Sequence, residues 1–169
     1  MHPTVSDWNE YKGMRITTLA EALQYTKEQH WWVNVELKDA SNTAADSIIV
    51  AKTIALIEEL EMQEQVLISS FNHSYLRQVK ALNPAIATGA LVNQLIQDPV
   101  ALLKDLDAQA FHPGRNYTFA NQVQALRQAG YDVNVWTVND EAEYRQFVEM
   151  GVAGIFTDFP QLFVQISAP

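Results

Sequence analysis

The stretch Trp31–Asp39, WWVNVELKD, places a carboxylate and an amine two positions apart at the end of an apolar run. Side chains of an extended chain alternate between faces, so Asn34, Glu36 and Lys38 share one side and Val33, Val35 and Leu37 the other. A charge at the end of a buried strand costs several kcal/mol unless it meets a partner or a metal. Three uses fit: a structural ion pair, a strand end reaching solvent, or a working pair. In the working pair Glu36 suits a hard divalent cation such as Mg²⁺ or Ca²⁺, and Lys38 a phosphate oxygen. One carboxylate does not make a metal site.

Other residues with chemistry lie at the ends of apolar runs. His112, in FHPG, stands where an imidazole can face a pocket mouth or sit in an ordinary loop. Trp136, in VWTVN, shares a face with Asn134 and Val138, and is a core ring or a pocket wall; Phe71 has the same two readings. In TDFP (157–160), Asp158 reads first as an N-cap before a helix started by proline. His2, His30 and His73 have no mutual spacing that would hold zinc.

Apolar runs at 31–37, 66–71, 85–92, 108–113, 131–138 and 152–158 read as strands. Between them, segments of helical period cover 18–29, 42–62, 72–82, 98–106, 116–128 and 139–149, with a last short helix near 160–167. Thr17 or Thr18 can cap the first helix with Glu21 in reach, Asn72 and Asn139 stand at N-cap positions, and Gly130 and Gly151 follow helices. Strands alternating with helices predict a parallel sheet with right-handed crossovers. Polar and ring residues at several strand ends favour a barrel over an open sheet, which gathers its site at one switch point. No Gly-rich phosphate loop follows the first strand. A full (β/α)₈ barrel takes about 250 residues. Six strand-helix units in 169 residues therefore predict an incomplete (β/α)₈ TIM barrel, a single domain over 1–169 without a linker.

Composition sets outer bounds. With 48% hydrophobic residues the chain can bury a core. Twenty acidic against 11 basic residues give a formal charge of −9, which disfavours nucleic acid and anionic membrane surfaces. The absence of Cys excludes disulfides, thiolate nucleophiles and sulfur-ligated metal. No apolar run reaches membrane-span length and the first residues do not read as a signal peptide, so the expected location is cytoplasmic, or periplasmic if an N-terminal segment is missing.

From about residue 14 to 160 the order of motifs resembles the glycerophosphodiester phosphodiesterase family, a barrel group related to the phosphatidylinositol-specific phospholipases C. The pieces are MRITTLAEAL, VNVELK, VLISSF, FHP, AGYDVNVWTVN and GVAGIFTDFP. The resemblance implies metal-dependent hydrolysis of glycerophosphodiesters to glycerol 3-phosphate and an alcohol. It implies Glu36 as one of three carboxylates on a divalent Mg or Ca ion, Lys38 on the substrate phosphate, His112 and Trp136 in the pocket, and Phe71 near the glycerol. TDFP is a family signature with a structural role.

The departures matter as much. Family members begin with segments carrying HRG, PENT, a strand with E.D, and HD, which supply both catalytic histidines and the other two carboxylates. None of these occurs in the sequence, and His2 in MHPT does not take their place. The expectation is a truncated chain, close to inactive alone, with no catalytic histidine and weak or absent metal binding. Its open barrel edges are expected to be covered by rearranged terminal segments, by a separately supplied N-terminal part, or by pairing into a homo-oligomer. The alternative is a non-catalytic remnant or phosphate-binding module of the same fold.

Overall fold

The computed structural model describes residues 12–161. Among these, six strands alternate with six α-helices: α1 (Leu19–Glu28), β1 (Val33–Glu36), α2 (Ile49–Glu59), β2 (Val66–Ser70), α3 (His73–Leu82), β3 (Ala87–Val92), α4 (Pro99–Leu106), β4 (Ala110–Pro113), α5 (Ala120–Gln128), β5 (Asp132–Val135), α6 (Glu141–Met150) and β6 (Gly154–Ile155). The strands form one parallel sheet in sequence order. It curls into part of a barrel, as the alternation of runs predicts, and among the described residues β1 and β6 are its edges.

Register explains the two faces. Partners on neighbouring parallel strands point the same way, so Val35 and Ile68 lie in one row and Ala90, Phe111 and Val133 in the next. These residues face the helices and meet Ile54, Ile57, Leu76, Val79, Leu103 and Leu126 in the main core. The other row runs Glu36, Ser69, Gly89 and Ala110, with Leu91 beside His112. It faces the barrel interior, into which Glu36, Ser69 and His112 bring polar groups.

Local signals fix the helix ends. Thr18 accepts from Glu21 N–H while the Glu21 carboxylate takes the Thr18 N–H at 2.9 Å, a complete capping box. Asn72 and Asp98 accept backbone N–H groups at the starts of α3 and α4. Gly151 ends α6 at φ +82°, a conformation open to glycine.

Three expectations shift. The segment 42–48 is a chain of turns rather than the start of a helix, because Ser41 and Thr43 hydrogen-bond to nearby groups and Asn42 is left-handed at φ 67°. The N-cap of α6 is Asp140, which accepts from Ala142 and Glu143 N–H, while Asn139 accepts from the Thr157 hydroxyl and Asp158 N–H and donates to the Asp158 carboxylate at 2.7 Å. The last strand is two residues long and pairs with β5 through Asn134–Gly154 and Val135–Ile155 alone among the described residues. His2 and most of the expected helix at 160–167 fall outside the described residues.

Candidate functional site

Curling brings the C-terminal ends of distant strands together. A cavity of about 240 Å³ there is lined by Asn34, Glu36 and Lys38 from the β1 end, by Ser69 and Phe71 from the β2 end, and by Leu91, Trp136, Thr137 and Phe156. Four of the sequence candidates, Glu36, Lys38, Phe71 and Trp136, therefore share one cavity although 100 positions separate the first and last.

The acid and base lie close together. Lys38 Nζ donates to Glu36 Oε1 at 2.6 Å, with the lysine side chain 79% exposed and the glutamate 29%. A pair this exposed adds little stability, so the ammonium can leave the carboxylate at small cost. Behind it, Asn34 Nδ2 donates to the buried Ser69 hydroxyl at 3.0 Å. The buried Ser70 hydroxyl donates to Leu37 O at 2.7 Å and thereby fixes where β1 releases Lys38. At the rim, Ser41, more than Asn72, holds the Asp39 carboxyl below its usual range through hydrogen bonds.

The aromatic wall is anchored to the backbone. Trp136 Nε1 donates to His112 O at 2.9 Å, and its ring meets Phe71 edge to face at a 5.3 Å centroid distance. Each ring thus serves as a pocket wall.

His112 sits elsewhere than its strand-end position suggested. It points into the barrel interior below the cavity, is 1% exposed, and does not line it. Its ring lies over Gly89, packs against Phe156, and accepts from Asn134 Nδ2 at Nε2, 3.0 Å away. That bond leaves the ring proton on Nδ1, which has no partner. Burial lowers its pKa to about 4.

As to metal, Glu36 faces the cavity with a carboxylate oxygen held by Lys38. Among the described residues no group of three His, Asp or Glu could hold a metal ion. Ca²⁺ and Mg²⁺ take about six to eight oxygen ligands. The described donors do not by themselves fit such an ion.

Sequence reading missed a second cavity beside the first. It occupies about 370 Å³ across Trp136 and Thr137 and is lined also by Asn93, Arg115, Asn116, Tyr117 and Asn139. Asn93, Arg115, Asn116 and Tyr117 follow β3 and β4, outside the motifs, whereas Trp136, Thr137 and Asn139 belong to VWTVN.

The family model for the glycerophosphoryl diester phosphodiesterase family matches residues 3–162. A glycerophosphodiester phosphodiesterase of Bacillus altitudinis is 32% identical over 165 residues, covering 95% of this chain and 66% of its own. The enzyme of that name from Caldanaerobacter subterraneus subsp. tengcongensis is 30% identical over 157 residues, covering 93% of this chain and 64% of its own. This chain thus spans less than two thirds of either relative. A phosphodiesterase of Oleispira antarctica, solved in complex with the product sn-glycerol-3-phosphate, superposes with a TM-score of 0.85 at 29% identity, over 94% of this chain and 64% of that one. No helix among the described residues is long and apolar enough to cross a membrane. With its family model matched over residues 3–162 and a parallel sheet in sequence order, the chain belongs to the glycerophosphoryl diester phosphodiesterase family.

Proposed function

We propose that this chain forms the substrate-holding part of a site that hydrolyses glycerophosphodiesters to glycerol 3-phosphate and an alcohol, and that it does not turn over alone. The observation that carries the reading is the single cavity joining Glu36, Lys38, Phe71 and Trp136 at the strand ends. In this reading the Lys38 ammonium leaves Glu36 for an incoming phosphate oxygen, a charge-assisted bond to a doubly acceptor-rich group. Phe71 and Trp136 offer apolar surface to the glycerol carbons, with the Trp136 indole held in place by the His112 carbonyl. His112 supports this wall from below. Glu36, once released, is the carboxylate this chain would contribute to a divalent cation, whose chemistry is to offset charge developing on phosphorus oxygens. No histidine lines the described cavity, and losing a general acid or base costs about 10²–10⁴-fold in rate.

The second reading is a phosphate-binding module without turnover. It is favoured by one feature, the engagement of the lone cavity carboxylate by Lys38. In either reading the edges at β1 and β6 invite pairing between copies of the chain.

A Mg²⁺- or Ca²⁺-dependent assay of glycerol 3-phosphate release separates the readings. It is run on the 169-residue chain with and without an added N-terminal segment bearing the family's HRG and HD motifs. Turnover only with the segment is expected. Turnover by the chain alone, abolished by Glu36→Gln, would overturn the incomplete site, and none after restoration would favour the binding module.

A further inference from the structure

The second cavity shares the Trp136 and Thr137 wall with the first, which sets it directly beside the cavity that holds Lys38. Its chemistry differs from that of its neighbour. The side-chain amides of Asn93 and Asn116 line it with no hydrogen-bond partner among the described residues. Asn139, in contrast, is taken up by Thr157 and Asp158. Arg115 directs Nη1 to both Glu143 oxygens, at 2.7 and 2.8 Å, and keeps further N–H groups over. Among the described residues no carboxylate lines the cavity and its one guanidinium, Arg115, is paired with Glu143, so a cationic alcohol such as choline finds no counter-charge there beyond the faces of Tyr117 and Trp136. Free amides offer both donor and acceptor, the match for hydroxyl groups, while the rings of Tyr117 and Trp136 present apolar faces for C–H surfaces.

The walls are fixed before any ligand arrives. Arg115 N–H donates to Trp136 O at 2.7 Å, Trp136 N–H to Pro113 O at 3.1 Å, and Gly114 N–H to Val92 O at 3.0 Å. These main-chain bonds tie the loop after β4 to both neighbouring strand ends, and such preorganisation lowers the ordering cost of binding.

We propose that this cavity is the subsite for the alcohol half of the diester and that it takes an uncharged polyol, with Asn93 and Asn116 as the residues that select it. The inference rests on the placement of phosphate at Lys38 argued under the proposed function.

The test is titration of the isotopically labelled 169-residue chain with glycerophosphoinositol, glycerophosphocholine and sn-glycerol 3-phosphate, read by nuclear magnetic resonance. The inositol ester is expected to bind about tenfold tighter than the choline ester, the scale of one or two hydrogen bonds, and to shift the Asn93 and Asn116 side-chain amides. Asn116→Ala, and separately Asn93→Ala, should lower the inositol ester toward the choline ester, whereas Lys38→Ala should weaken both esters alike. Spectra of the variants away from the cavity check their folding. Equal affinity for the two esters, with all three ligands still shifting Lys38, would overturn the polyol subsite and leave the phosphate reading standing. No shift at Lys38 from any ligand would overturn both.

Discussion

Burial sets the chemistry of His112. A depressed histidine pKa means that the unfolded chain binds the proton first as pH falls, so stability is full above the ordinary value of 6.5 and declines as pH drops toward about 4. The loss is bounded at about 3 kcal/mol over that window. Urea unfolding between pH 7 and 4 should show this slope, and His112→Gln should flatten it; an unchanged slope would mean the ring is hydrated. Lys38→Ala should weaken binding of sn-glycerol 3-phosphate about tenfold or more by calorimetry, the scale of a charge-assisted hydrogen bond. The sequence shows Glu36 and Lys38 as a pair through strand alternation. It could not show that His112 lies below the cavity, because burial of a strand end depends on which loops cover it.

Between strands and helices, the glycine of β3 has a definite task. A Cβ at Gly89 would lie 2.6 Å from His112 Cε1 and 2.7 Å from Nε2. Gly89→Ala should therefore cost about 1–3 kcal/mol by overpacking, measurable as a lowered denaturation midpoint. At α1, Thr18→Ala removes the capping hydroxyl and should cost about 1 kcal/mol, read by thermal unfolding. The partner in that box, Glu21, is held near pKa 2 first by Arg15 and then by Thr18. Caps such as Thr18 and Asn72 were legible because they depend on residues three positions apart or fewer. Asn139 was misassigned as a cap since its side chain answers to Asp158, a partner 19 positions away.

For the whole molecule, the open edges are the feature to measure. Among the described residues β1 and β6 each have one neighbour, and the apolar side chains of Ile16, Trp31 and Trp32 stand exposed at 95%, 56% and 75% before β1. Exposed parallel edges beside apolar surface favour self-association. Sedimentation velocity of the 169-residue chain should show dimers or larger species, and a monomer at all concentrations would count against edge pairing. The sequence by itself determined the alternation of strands and helices, most helix ends and the row of Asn34, Glu36 and Lys38, because these follow from periods and contacts within a few residues. Only the tertiary structure decided which strand ends meet. Curling of the sheet sets Trp136 against Phe71, sinks His112 beneath them and opens the Asn93–Asn116 cavity, and distances of that kind are fixed by register and packing between segments far apart in the chain.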